Sequence, residues 1–230
     1  GAANVRLPTE TLPLARAYGR VLAEDILADR DYPPFHRATR DGYALRCGDL
    51  KALPATLECL GEIRAGEYFP GKVGPGQCLQ IMTGAPLPSG ADAVVMLEDA
   101  RPEGTQVEIL RRVETYENVV RQGSEATAGS RVLPRGRRLG PGDLGLLATV
   151  GRGNVQVYRP PHVAILPTGD EVVPVEQRAE WYQIRNSNAV ALAAQVAAAG
   201  GIPRSLAIAP DRPEALRPLI EEGLQADLLL

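Results

Sequence analysis

The sequence predicts more than one domain, with a β-rich front section followed by a parallel α/β rear section. Three observations predict it. Most of the 24 glycines and 20 prolines precede residue 175, so the front is dense in turns. From about Leu57 to Ile109, short apolar runs are divided by glycine and proline, the pattern of a small β-barrel or sandwich. After Pro161, apolar runs and helical stretches alternate as β-α-β-α-β, which implies a right-handed parallel α/β domain.

Taken in order, a short helix is expected around Leu14–Tyr18, stopped by Gly19. Tyr32-Pro33-Pro34-Phe35 cannot be regular helix, because two prolines remove two donors. It is read as an extended loop leading to Arg40-Asp41-Gly42-Tyr43-Ala44. Predicted strands are Ala55–Ile63, Gln77–Met82, Ala93–Met96 and Gln106–Ile109. This β-rich part reads as an insertion, because helix-and-strand material flanks it. Pro141-Gly142-Asp143 opens a helix through Val150, with Asp143 favourable at its N-terminal dipole and Gly151 at its end. Val155–Arg159 alternates like a strand. Val163–Leu166 is a continuous apolar strand, as in a buried parallel sheet. Ser187 or Asn188 is expected to cap a helix through Ala199, stopped by Gly200-Gly201. Arg204–Ala209 is read as the second strand. Pro213 opens a helix that ends near Gly223. Asp227–Leu230 begins a third strand, and a chain ending inside an apolar strand is expected to continue past Leu230.

Composition narrows the function classes. A chain of 230 residues buries roughly 70–75% of its unfolded surface and needs no staples. A net charge of -3 gives no support to non-specific nucleic-acid binding. The basic residues are almost all arginine, with Lys51 and Lys72 the only lysines. Cys47, Cys59 and Cys78 are odd in number and contain no CxxC, which speaks against a disulfide framework or zinc site and for a cytoplasmic protein. No apolar run approaches the roughly 18 residues of a membrane span. The cluster Arg131, Arg135, Arg137 and Arg138 is read as a solvated face.

Three loops carry groups suited to chemistry. Asp41-Gly42-Tyr43-Ala44 reads blandly as a turn with a packing tyrosine. In the Met82–Met96 stretch, the Thr83 hydroxyl beside Gly84 can expose backbone N–H groups to an oxyanion, although on physics alone an ordinary strand–loop–strand connection is the better reading. Thr168-Gly169-Asp170-Glu171 is the strongest, because it lies at the carboxyl end of a parallel strand, where α/β domains bind ligands. Its two carboxylates suit Mg²⁺ held partly through water, and its hydroxyl and amides suit a phosphate. The bland alternative is a strand terminator.

Together these passages resemble one family. Gly19–Asp25, Tyr32–Phe35 with Asp41–Ala44, Met82–Met96, Asn118–Gly123, Gly145–Ala148, Thr168–Glu171 and Ser187-Asn188 occur in the order found in the molybdopterin molybdenumtransferases, the bacterial MoeA proteins and the E domain of gephyrin. The resemblance covers essentially the whole chain, and Met82–Met96 is its most specific piece.

The resemblance implies a multidomain α/β plus β fold. Residues 1–35 and 118–160 would form an elongated, discontinuous body domain for dimerisation. Residues 36–117 would be the inserted β-rich domain, and 161–230 an incomplete parallel α/β domain of the molybdopterin-binding type. It implies a cytoplasmic homodimer that inserts molybdate into adenylylated molybdopterin, supplied by the molybdopterin adenylyltransferase, with Mg²⁺ in support. The adenylate is cleaved, and AMP and molybdenum cofactor are released. The catalytic positions carried over are Asp41, Thr83, Glu125, Glu171 and Asp211. Thr168, Gly169, Asp170, Ser187 and Gly84 would bind substrate, with Asp170 and Glu171 near Mg²⁺.

Departures from the family pattern are specific. Arg40 stands for an apolar residue, Asn186 for an aspartate, Ser124-Glu125 for Glu-Asp, and Pro210-Asp211 for a pair of acids. A Gly-Gly-Val-Ser loop and a C-terminal barrel are expected beyond Leu230, so this chain alone is expected to be inactive. The first rival reading is a non-catalytic paralogue that holds molybdopterin or serves as a scaffold. The second, a nucleotide-binding α/β enzyme, predicts a P-loop or GxGxxG after Val163–Leu166, and neither occurs.

Overall fold

The computed structural model describes residues 7–230. The chain divides into two compact units. One is Leu27–Val132; the other joins the segment up to Ile26 with Leu133–Leu230.

The Leu27–Val132 unit is built on a six-stranded sheet. Its strands lie in the order Ala93–Met96, Gly42–Leu45, Gln77–Ile81, Ala55–Ile63, Gln106–Ile109, Ala100–Glu103. Every neighbouring pair is antiparallel except Ala55–Ile63 with Gln77–Ile81, whose register shifts between Cys59 and Glu62. All four strands predicted for this part are present. Gly42–Leu45 and Ala100–Glu103 were not expected, and Gly42–Leu45, read as part of a loop, lies second in the sheet.

The expected barrel or sandwich is met in shape but not in closure. The edge strands Ala93–Met96 and Ala100–Glu103 are not paired with each other, yet only Leu97–Asp99 separates them in sequence. Six flat strands would set their edges about 24 Å apart. The linking peptide reaches at most about 14 Å. The sheet must therefore curl until its edges approach at that corner. Both faces are buried, by Tyr43, Leu45, Leu57, Val95, Val107 and Ile109 on one side and by Ala44, Ile63, Leu79, Ile81 and Val94 on the other. Each fully buried Leu or Ile contributes roughly 1.5–3 kcal/mol. Two covered faces explain why Ala93-Val94-Val95 is a continuous apolar run rather than an alternation.

The other unit pairs Thr9–Pro13 with Asn154–Tyr158 as an antiparallel ribbon. Between them in sequence, the helix expected at Leu14–Tyr18 is only a 3-10 turn, Leu14–Arg16. Ala17 N donates back to Leu14 O at 3.1 Å, but Gly19 N donates to Leu139 O at 2.9 Å and not to the turn, so the helix does not continue. Helix α1 spans Pro141–Thr149. Asp143 at its third position accepts from the Gly140 N–H at 2.8 Å, and Gly151 follows its end at φ 72°. The Gly140 amide first, and then the Arg137 guanidinium, hold the Asp143 carboxyl below its ordinary range.

The parallel sheet of this unit has three strands in the order Ile202–Ser205, His162–Ile165, Leu228–Leu229. The second strand is shorter than the expected Arg204–Ala209; beyond Ser205 the chain keeps only a single bridge, Ala209 to Thr168. Helix α2 is Ser187–Ala199 and α3 is Pro213–Gly223. The cap of α2 is Asn186, not Ser187 or Asn188. Its Oδ1 accepts from Ala189 N at 3.2 Å, and Ser187 is already the first helical residue. Pro213 and Gly223 bound α3 as expected.

Candidate functional site

In the Leu27–Val132 unit, Asp41 immediately precedes the Gly42–Leu45 strand. Gly42 lets that strand approach its neighbour, since a Cβ there would lie 1.9 Å from the Val95 carbonyl oxygen. The Asp41 carbonyl accepts from Leu97 N at 3.2 Å, which holds its backbone in place. Its side chain is equally constrained. Thr83 donates to Asp41 Oδ1 twice, from its backbone N–H and from Oγ1, each at 2.7 Å. Donation to a carboxylate stabilises the charged form. The Thr83 amide, and after it the Thr83 hydroxyl, thus lower the Asp41 pKa below its ordinary value. Gly84 follows at φ 88°, and its N–H donates to Ala38 O at 2.9 Å. Arg40, Asp41 and Thr83 line an open cavity of ≈ 420 Å³ with Met96, Leu97 and Glu98.

Glu125 lies apart from that pair. Its carboxylate faces Arg37 at 3.9 Å, and its N–H donates to the Tyr32 carbonyl. It does not line the Asp41–Thr83 cavity.

In the other unit, the Thr168–Glu171 loop follows the central strand His162–Ile165 at its carboxyl end. The loop is stitched to the segment after Ile202–Ser205, with Ala209 N donating to Pro167 O at 2.9 Å and Gly169 N to Ala209 O at 3.1 Å. Asp211 N then donates to Asp170 Oδ1 at 3.3 Å, so the structure brings these two acids together. Gly169 sits at φ 136°, where a Cβ would meet Glu171 Oε2 and Val172 Cγ2 at 2.8 Å each.

Two clefts open at this strand end. The larger, ≈ 670 Å³, is lined by Gly169, Asp170, Val172, Val173, Val190 and Pro210 among others. The smaller, ≈ 280 Å³, has Thr168, Arg185, Asn186, Ser187 and Asn188 at the start of α2. Glu171 and Asp211 are exposed and line neither cleft. Sequence reasoning missed Asn186, whose backbone N–H also donates to Val173 O at 2.9 Å. Ser187 and Asn188 signalled a cap, but the residue just before them supplies it.

Residues 2–151 match the family model described as the MoeA N-terminal region (domain I and II). The chain belongs to the MoeA family. It is similar to the molybdopterin molybdenumtransferase of Bacillus subtilis, 38% identical over 94% of this chain and 52% of that protein. The protein of the same name from a Nostoc species is 37% identical over 96% of this chain and 52% of its own length. This MoeA-family chain thus spans about half the length of these curated relatives. Two solved structures of the molybdopterin biosynthesis MoeA protein of Pyrococcus horikoshii superpose with TM-scores of 0.85 and 0.86. They are 35% and 33% identical, covering 98% and 99% of this chain and 59% and 62% of theirs.

Proposed function

We propose that this MoeA-family chain is the front portion of a molybdopterin molybdenumtransferase. The reaction inserts molybdate into adenylylated molybdopterin, cleaves the adenylate, and releases AMP and molybdenum cofactor. The observation that carries this reading is the double cleft at the carboxyl end of the parallel strands, in a chain with MoeA family membership.

The cleft chemistry supports a split of roles. Val172, Val173, Val190 and Pro210 give the larger cleft apolar walls suited to a flat ring system. The smaller cleft, at the N-terminus of the 13-residue α2, offers Thr168, Ser187 and backbone N–H groups to a phosphate. Gly169 and Asp170 would orient the substrate between them. Asp41, fixed as an ionised carboxylate by Thr83, would come from the partner subunit of the homodimer, together with Thr83, and would orient water or a hydroxyl for attack on the phosphoanhydride. Gly84 keeps the backbone open beside that pair. Glu125, Glu171 and Asp211 would supply further acid–base or charge-positioning groups.

The donor set suits Mg²⁺ only in a particular way. Among the described residues, no group of three or more His, Cys, Asp or Glu side chains is arranged to hold a metal. Mg²⁺ commonly takes one or two carboxylates and completes its shell with water and substrate phosphate. Asp170, which lines the larger cleft, would meet that demand, with Glu171 next to it in sequence. A bound Mg²⁺ would neutralise charge on the phosphoanhydride.

The proposal includes the homodimer, delivery of substrate by the molybdopterin adenylyltransferase, and a cytoplasmic location. No helix of the described residues is long and apolar enough to cross a membrane. The proposal also includes the division into a body of 1–35 and 118–160, an inserted domain of 36–117, and an α/β domain of 161–230.

The test is AMP release by the full-length protein. Asp41→Ala and Glu171→Ala are each expected to lower turnover by at least about 10²-fold with folding unchanged. Full turnover in Glu171→Ala would remove that residue from the mechanism. Tight binding of adenylylated molybdopterin with no AMP release by the wild type would establish the non-catalytic reading instead.

A further inference from the structure

Two adjacent arginines in the Leu27–Val132 unit differ in what neutralises them. Arg111 is held between Asp99 and Glu117. Arg112 meets no carboxylate among the described residues. Its Nε donates to Leu50 O at 3.1 Å and its Nη2 to Lys51 O at 2.7 Å. A guanidinium carries five N–H donors in a fixed plane. Those two bonds occupy the Nε–Nη2 edge and anchor the group to backbone, leaving the Nη1–Nη2 edge without a partner among the described residues. That edge has the geometry for bidentate bonding to phosphate oxygens.

The lysine beside it is unusual in this chain, being one of only two. Lys51 is exposed and makes no ion pair among the described residues. Lys51 and Arg112 both line a cavity of ≈ 670 Å³, with Cys47, Val113, Glu114 and Thr115. Glu114 is its only acidic side chain, so the cationic groups outnumber it. The volume exceeds what a lone phosphate needs and admits a phosphate ester. The cavity lies beyond the Leu45 end of the Gly42–Leu45 strand, whereas Asp41 lies at the other end, and the two cavities share no lining residue.

We propose that this cavity binds a small phosphate-bearing anion, gripped by the free edge of Arg112 and the ammonium of Lys51. The anchoring of Arg112 means that little side-chain freedom is lost when the anion arrives. This site is independent of the molybdenum-insertion reading.

Inorganic pyrophosphate and ADP are the probes, titrated into the whole chain at fixed ionic strength and followed by backbone amide NMR shifts. Saturable shifts are expected at Lys51, Arg112 and Thr115. Lys51→Gln, a change at an exposed side chain, should weaken binding at least about fivefold. Arg112→Lys should weaken it as well, because the charge remains but the fork is lost. Tighter binding of ADP assigns the site to a phosphate ester, and tighter binding of pyrophosphate to an inorganic phosphate. Shifts reproduced by chloride at the same ionic strength, or unchanged affinity in Lys51→Gln, overturn the proposal.

Discussion

Asp41 and Asp170 are both candidate site carboxylates next to a strand, and they are held in different ways. Asp41 enters a strand buried on both faces, and a single threonine supplies both of its short hydrogen bonds. Asp170 leaves a strand on an exposed loop and accepts one longer bond from the Asp211 amide. The sheet fixes the first acid through close backbone packing. The second is fixed by loop-to-loop stitching, which tolerates small shifts. Substitutions that attack the backbone should therefore cost more at Gly42 than at Gly169.

Gly42→Ala is the severest test of that contrast. Its methyl would lie 1.9 Å from a backbone carbonyl that cannot swing aside. A loss of about 3 kcal/mol or more is expected in urea unfolding. A loss under about 0.5 kcal/mol would break the comparison. Gly169→Ala meets the flexible Glu171 carboxylate and a valine methyl at an unfavourable φ, so about 2 kcal/mol is expected from the same measurement.

Asp143→Ala should cost about 1 kcal/mol at neutral pH, because it removes the partner of the Gly140 amide, the N-cap of α1. The folded-state pKa of Asp143 is depressed, chiefly by the Gly140 amide. Its contribution is thus fully present above the ordinary carboxylate range and is lost as pH falls through the depressed value. Wild type and variant should converge when unfolded at progressively lower pH; a gap that stays constant into strong acid would contradict this. Asn186→Ala should also cost about 1 kcal/mol, whereas Asn186→Asp should lie within a few tenths of the wild type, since Asp caps as well as Asn.

The smallest change concerns titration alone. Thr83→Val removes the hydroxyl bond to Asp41 and keeps the amide bond. The Asp41 pKa, read by carboxyl carbon NMR, should rise part of the way toward its ordinary value. A full return would mean that the amide contributes nothing, contrary to its being the larger cause.

Much of the fold could be read because local signals agreed with tertiary demand. Pro213 and Gly223 bracket α3, and Ala55–Ile63 spans its strand end to end. Gly42–Leu45 was hidden because Asp-Gly is also a turn signal. What makes position 42 glycine is a carbonyl at Val95, far along the chain, which no local pattern encodes. The Thr168–Glu171 loop was legible from its place after a buried strand. The pairing of Asp41 with Thr83, and the Asp211 amide on Asp170, are tertiary events with no signature in spacing. Arg112 was equally opaque, since the carbonyls that anchor it are 61 and 62 residues away.

The approach of Gly42 to Val95 gives three consecutive positions three different tolerances. A library randomised over 40–42 would sort itself without any assay of chemistry. Position 40, exposed and without an ion pair among the described residues, should accept most side chains among clones that merely fold. Position 41 should accept many under the same selection and few once turnover is required. Position 42 should return glycine under either. Folding and function can thus be read as separate columns in one sequencing experiment.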